Sequence, residues 1–227
     1  DHVVANSLCG VVLTTTTVDS VLPVRLQDRG VPFVYFNRTA SGVRADSVTV
    51  DPEPGMRDLV AAIVKHGHDR VGAVFGPRNT STGEEREQTL RALMEEYGVT
   101  LRRAHLRHGP FDVETGQVAT RELLALDDPP TLIVCGNDVV ALGALNAAAE
   151  AGVEVPDELS IVGFDDLPMS RWALIQLSTV AYDLDAMSRE AARMVVARVE
   201  QGSARPLQAT VLPTRFVQRR TLGPAPR

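Results

Sequence analysis

The chain has 227 residues, of which 44% are hydrophobic and 23% charged, and its formal net charge is −6. This composition excludes disordered and fibrous classes and is large enough for one big core or two lobes. A negative balance without an arginine-rich face argues against nucleic-acid binding by these residues themselves. No apolar run approaches the ~20 residues of a membrane span, so no membrane partner is expected, and Asp1-His2 is not the basic start of a signal peptide.

Short β-branched runs alternate with amphipathic stretches, which is the signature of βα units around parallel sheets, so the fold class is α/β. In chain order the pattern predicts a strand over Cys9–Thr14, a helix over Val18–Arg29 and a strand over Pro32–Phe36. A helix over Gly55–His66, a strand over Val71–Phe75 and a helix over Gly83–Tyr97 follow. Next come a strand over Thr100–Leu106, a helix over Val113–Leu126, a strand over Thr131–Cys135 and a helix over Asp138–Ala151. The series ends with a strand over Ser160–Phe164, a helix over Leu184–Glu200 and a strand over Val211–Phe216. Gly30, Gly67, Gly98 and Gly152 each follow a helical run where a left-handed cap residue is wanted. Cys9 and Cys135 sit in apolar runs, as small buried side chains in a reducing, cytoplasmic setting. Thr221–Arg227 reads as a frayed tail, and the opening directly on a strand is taken to mean that an upstream segment is missing.

Ligands of open α/β sheets bind beyond the carboxyl ends of strands. Three polar pairs stand there: Asn37-Arg38, Asn137-Asp138 and Asp165-Asp166. Carboxylates and amides supply the fixed donors and acceptors that a neutral polyol needs, and a guanidinium adds a donor fork.

Three segments, read together, resemble the LacI/GalR family of bacterial transcriptional regulators. Val64-Lys65-His66-Gly67-His68-Asp69-Arg70-Val71-Gly72 resembles its helix, "GH" turn and strand; Cys135-Gly136-Asn137-Asp138-Val139-Val140-Ala141-Leu142-Gly143 resembles its strand-to-helix turn. The run from Gly152-Val153-Glu154-Val155-Pro156 to Gly163-Phe164-Asp165-Asp166 resembles its longest signature, and the likeness extends from about Cys9 to Arg220. Two departures are local: Thr89 and Leu90 follow Arg86 where the family has glycine and an aromatic, and Gln176 stands where a proline often precedes the Leu177-Ser178-Thr179 run.

The resemblance implies two Rossmann-like lobes with parallel sheets, joined by three crossover strands in the manner of type I periplasmic binding proteins. The crossings are expected near Val50–Pro52, Thr179–Asp183 and Leu212–Thr214. One lobe is then 1–50 plus 184–211, missing its first βα units, and the other is 51–180 plus 214–227. It also implies a small effector, expected to be a sugar, held between the lobes by Arg86, Asn137 and Asp165. Thr82 and Asn37 match secondary contacts, and Phe111 an aromatic wall; Trp172 and Tyr182 are further aromatic candidates. A homodimer is implied, with Leu59 and Leu90 marking helices that could form its surface. Operator DNA would be bound through an N-terminal helix-turn-helix absent from this chain. An exported sugar-binding protein of a transporter shares the architecture and is the competing reading.

Each site residue has a plainer role to weigh. Asn137 or Asp138 before Val139-Val140 is a helix cap signal, with Asp138 the expected cap. Asp165-Asp166 suits turn chemistry, Arg86 among Glu84, Glu85 and Glu87 suits a solvated ion-paired face, and Phe111 suits core packing. Catalysis finds little support. His66-Gly67-His68 lacks a completing carboxylate or cysteine for a metal, Cys135 lacks a histidine partner, and no phosphate-cradling glycine loop occurs. No cofactor is expected.

Overall fold

The computed structural model describes residues 9–202 and 205–226. In chain order the elements are β1 (Val11–Leu13), α1 (Leu22–Asp28), β2 (Phe33–Phe36), β3 (Asp46–Asp51), α2 (Glu53–Lys65), β4 (Val71–Phe75), α3 (Ser81–Glu96), β5 (Leu106–His108) and α4 (Val113–Leu124). They continue with β6 (Leu132–Cys135), α5 (Asp138–Glu150), β7 (Ser160–Asp165), β8 (Ser178–Ala181), α6 (Leu184–Gln201), β9 (Ala209–Pro213) and β10 (Arg215–Val217).

The chain divides into two units. The smaller holds the described residues of Asp1–Asp51, Asn79–Thr82 and Asp183–Leu212; the larger holds Pro52–Arg78, Gly83–Tyr182 and the described part of Pro213–Arg227. The smaller unit is a sheet of order β1-β2-β3-β9, parallel across β1, β2 and β3, with α6 packed on those three strands. Its core gathers Leu13, Leu26, Phe33, Tyr35 and Val43.

The larger unit is a sheet of order β10-β8-β7-β6-β4-β5. All neighbours run parallel except β10, which is antiparallel to β8. Strands apolar on both faces require helices above and below, and alternate residues accordingly feed two cores. Val71, Ala73, Phe75, Leu132 and Val134 join Leu59, Ile63, Leu90 and Met94 of α2 and α3 on one face. Val74, Ile133 and Cys135 join Leu123, Val140 and Ala144 of α4 and α5 on the other. Each fully buried leucine or isoleucine among these contributes about 1.5–3 kcal/mol. The α4–α5 contact depends on two glycines: a Cβ on Gly116 would lie 2.0 Å from the Val140 carbonyl oxygen, and one on Gly143 2.0 Å from that of Val113.

The α/β reading holds, and the four glycines after helical runs have φ between 65 and 81°. Several expectations need correction. Leu59 and Leu90 are 0% and 1% exposed, so the helix faces that carry them are core and offer no dimer surface. The strand expected at Thr100–Leu106 is displaced: Arg103–His105 form a 3-10 turn, and pairing with β4 starts only at Ala73↔Leu106 and runs to His108. The run Val211–Phe216 is two strands in different sheets; it breaks at Thr214, whose Oγ1 accepts a hydrogen bond from the Gly55 amide at 3.0 Å. The helix expected from Val18 begins at Leu22 with Pro23 in its first turn, a position where the missing N–H does no harm. Cys9 is exposed, whereas Cys135 is buried.

The largest correction is the tail. Thr221, Leu222 and Gly223 are buried and strap the amino end of β7. Thr221 Oγ1 donates to the Ile161 carbonyl at 2.6 Å, the Ile161 amide to the Thr221 carbonyl at 2.8 Å, and the Gly223 amide to Ser160 Oγ at 3.1 Å. His68 completes the strap with its ring between Thr131 Oγ1 at 2.9 Å and the Gly223 carbonyl at 3.0 Å. An imidazole facing a carbonyl through Nε2 donates there, so Nδ1 receives the threonine hydroxyl. Burial holds His68 below its ordinary value, partly offset by the Gly223 hydrogen bond.

Candidate functional site

In the larger unit the carboxyl ends of β4, β6 and β7 end in Gly76, Gly136-Asn137 and Asp165-Asp166, which is where a parallel sheet presents polar groups. Arg86 reaches them from the second turn of α3. It is 5% exposed, so the solvated, ion-paired face suggested by its glutamate neighbours does not describe it. Its Nη1 donates to the Gly136 carbonyl at 2.7 Å and its Nη2 to Asp165 Oδ1 at 2.9 Å. The guanidinium carbon lies 3.7 Å from the Phe164 ring centroid and 5.9 Å from that of Phe111. A planar cation fixed this way is a preorganised donor fork.

Phe111 fits beside the strand tips only because two residues there have no side chain. A Cβ on Gly76 would come 2.1 Å from its Cζ, and one on Gly136 3.2 Å from its Cε1. Tyr182, just past β8, has its ring 6.3 Å from that of Phe164. Burial, and then the Asp165 carboxylate, push its phenol above the ordinary value, so it is a neutral donor.

Asn137, rather than the expected Asp138, is the cap of α5: its Oδ1 accepts from the Val140 amide at 2.9 Å. The cap engages only the amide oxygen, and the NH2 group carries two donors. Asp138 is buried and turned away from the helix. It accepts from the Leu167 amide at 2.7 Å, Ser170 Oγ at 2.6 Å and Thr179 Oγ1 at 2.6 Å. Burial pushes its carboxyl up to about 6, against the pull of those hydrogen bonds.

The backbone reverses at the end of β7, with φ of 115° at Asp165 and 55° at Asp166. Left-handed backbone at a residue with a Cβ costs of order 1–3 kcal/mol and persists where surrounding contacts enforce it. Asp166 is held by Arg171 Nη2 at 2.8 Å and Arg219 Nη2 at 2.6 Å.

The structure thus brings Arg86, Phe111, Asn137, Asp165 and Tyr182 together at one edge of the larger unit. Trp172 is 61% exposed at the end of the 3-10 turn Pro168–Arg171, and the described rings facing Arg86 are those of Phe111 and Phe164. Asn37 and Thr82 fall in the smaller unit. Asn37 has φ 63°, and among the described residues its Oδ1 and Thr82 Oγ1 are buried without a protein partner. Thr82 stands one turn before Arg86 on α3, on the same helical face. Gln176 has φ 49°, a conformation closed to proline, whose ring fixes φ near −65°. Gly76 and Arg219 were not anticipated, because they act through residues distant in sequence; Asp138 was expected as a strand-end polar residue and helix cap, and instead accepts from Leu167, Ser170 and Thr179.

Two other features lack this convergence. A pocket of about 380 Å³ in the smaller unit is lined by Val31, Phe33, Val43, Leu207, Asp46 and Arg198 among others. It lies at the amino ends of β2 and β3, and Arg198 spends its donors on both Asp46 oxygens and the carbonyls of Gly202, Arg205 and Pro206. Cys135 is 1% exposed, and burial, with Asp138 nearby, raises its thiol far above the ordinary value, which suits a packing role.

A sequence model of the periplasmic binding protein-like domain matches residues 60–222. The HTH-type transcriptional regulator MalR of Streptomyces coelicolor is 32% identical over 215 residues, covering 93% of this chain and 62% of its own length. The HTH-type transcriptional repressor CytR of Escherichia coli K12 is 28% identical over 200 residues, covering 88% and 59%. The solved transcriptional regulator CelR–cellobiose complex superposes with a TM-score of 0.88 at 28% identity, covering 97% of this chain and 68% of that one. The chain spans about three-fifths of the length of these curated relatives. No helix among the described residues is long and apolar enough to cross a membrane. With a matched domain over most of its length and a doubly wound fold shared with a solved LacI transcriptional regulator from Rhodococcus (TM-score 0.87 at 26% identity, covering 100% of this chain and 82% of that one), the chain belongs to the periplasmic binding protein-like domain family, as an effector-binding core of the LacI type.

Proposed function

We propose that this chain is the effector-sensing core of a DNA-binding transcriptional repressor that works in the cytoplasm, responds to a neutral polyhydroxy compound of the sugar class and catalyses nothing. The observation that carries the reading is the Arg86–Asp165 pair, 2.9 Å apart beside Phe111 and Asn137. An acidic effector needs an unbalanced cation, but Arg86 is already balanced by Asp165, whose carboxylate would repel a second anion. Hydroxyl groups suit the pair better. The Asp165 carboxylate is an acceptor for them, the Asn137 NH2 donates, and Phe111 offers an apolar face to ring C–H groups. The solved relative bound to cellobiose, a neutral disaccharide, agrees.

DNA contact belongs to a segment outside these residues, a reading supported by the HTH-type names of the longer relatives and by a net charge of −6, which fits a module that does not touch DNA itself. Those relatives also favour a regulator over an exported transport protein. For the homodimer we assign the surface around α5. A groove of about 380 Å³ there is lined by Leu142, Leu145, Val153, Leu174 and Ile175 together with the polar Asn146 and Arg220; Leu174 is 92% exposed and Trp172, two positions earlier, 61% exposed. Large apolar side chains left this exposed mark a surface that a second copy of the chain can cover about a two-fold axis.

Thermal-shift measurements with cellobiose, maltose, galactose and glucuronate test the effector reading. At 100 times its dissociation constant a ligand stabilises the native state by about 2.7 kcal/mol. A neutral sugar should raise the melting temperature of the parent and leave Arg86→Ala unmoved. A shift from glucuronate alone, or an equal shift in Arg86→Ala, would sink it.

A further inference from the structure

The polypeptide after β10 does more than close the sheet. Arg219 is anchored at several points: its amide donates to Ser178 Oγ at 2.8 Å, its Nη1 to the Leu177 carbonyl at 2.6 Å, and its Nη2 to Asp166 Oδ1 at 2.6 Å. The Ser178 hydroxyl returns a bond to the Arg219 carbonyl at 3.1 Å. Asp166 has a second cation, but the side chain of Arg171 is 64% exposed while that of Arg219 is 12% and that of Asp166 4%. Solvent weakens the first pair, so the second dominates. Removing one member of such a shielded pair leaves the other charge without compensation.

Asp166 is also the second residue of the left-handed reversal, and Asp165 before it bonds Arg86. Two consecutive non-glycine residues at positive φ need enforcement from outside the turn. Asp138 supplies part of it by accepting from the Leu167 amide, and Arg219 supplies the shielded contact on Asp166 itself. We propose that Arg219 is a positioning residue of the effector site: by holding Asp166 it maintains the Asp165–Asp166 reversal and so aims the Asp165 carboxylate at Arg86. The assignment rests on the effector reading only in giving that carboxylate its purpose.

The experiment needs no effector. In the full chain labelled with 13C and 15N, the backbone carbon shifts of Asp165 and Asp166 report the left-handed conformation, and the Arg86 side-chain N–H resonances report the ion pair. Arg219→Gln should move the two aspartates toward ordinary negative-φ shifts and speed the exchange of the Arg86 protons. Thr221→Val serves as the control, since it breaks the strap at Ile161 and Ser178; it should lower the melting temperature and leave those signals in place. If Arg219→Gln does not fold, Arg219→Lys is read instead; it keeps a cation for Asp166 without the planar fork and should give a smaller displacement in the same direction. Unchanged shifts in the Arg219 variant, or equal shifts in Thr221→Val, overturn the positioning role. That result leaves the effector reading standing, because the sugar panel decides it separately.

Discussion

Arg86 lies over the face of Phe164 with its guanidinium carbon 3.7 Å from the ring centroid, so an aromatic residue from inside β7 sets the plane in which the cation meets Asp165. Stacking and ion pairing therefore act on one group. Arg86→Met keeps much of the stacked volume and removes the fork, leaving Asp165 and the Gly136 carbonyl short of a donor. It should reduce stability by about 1–3 kcal/mol, read as a lower urea midpoint at unchanged slope. An unchanged midpoint would mean that the pair contributes nothing net.

Two glycine substitutions should separate binding from folding. In Gly76→Ala the nearest atoms to the new methyl belong to the outer end of the Phe111 ring, a side chain that can swing aside, so melting should change less than in a backbone clash while sugar binding weakens. In Gly143→Ala the methyl meets backbone, at the Val113 carbonyl. Overpacking of that kind costs about 1–3 kcal/mol or more, and calorimetry should show it. Equal losses of stability in the two variants would contradict this division.

Asp138 gives a pH signature. Its folded carboxyl keeps a proton up to about pH 6, against an ordinary value of 3.8. Between these values the folded state binds more protons than the unfolded one, so the Asp138 contribution to stability falls as pH rises through that interval and is constant above it. Asp138→Asn should erase this component, making acid loss steeper below pH 6 in urea titrations. It should also lower stability at pH 7, because an amide cannot accept from all three donors.

His68 acts with the opposite sign. Burial lowers its folded value below the ordinary 6.5, so as pH drops below 6.5 the unfolded state takes up a proton that the folded state refuses, and stability declines. His68→Gln, which keeps a donor for Gly223, should flatten the decline between pH 6.5 and the lower folded value. A slope identical to the parent's would show that His68 is protonated as readily in the fold as out of it.

Much of the larger unit was legible because its strands are uniformly apolar and its helices are capped by glycine. What escaped was decided by partners far along the chain. β3 alternates buried Asp46, Val48 and Val50 with half-buried Ser47 and Thr49, but the apolar positions are only two, and the third buried one is Asp46, whose partner Arg198 lies far along the chain. Asn137 and Asp138 are both good caps, and only the donors at Leu167, Ser170 and Thr179 decide which one turns away. Arg86 stands in a glutamate-rich run, so local pattern favoured solvent; the resemblance alone singled it out, before Gly136 and Asp165 explained why it is buried. Nothing near Thr221–Gly223 announces that its partners are Ser160, Ile161 and His68.

The strap also orders the birth of the protein. Because β7 is the middle of the sheet and its amino end is closed by residues about sixty positions later, a ribosome must release the chain at least through Gly223 before the larger unit can reach its final state. Until then Ser160 and the His68 ring wait without their last hydrogen-bonding partners, and a nascent chain stalled upstream would be a substrate for chaperones and proteases.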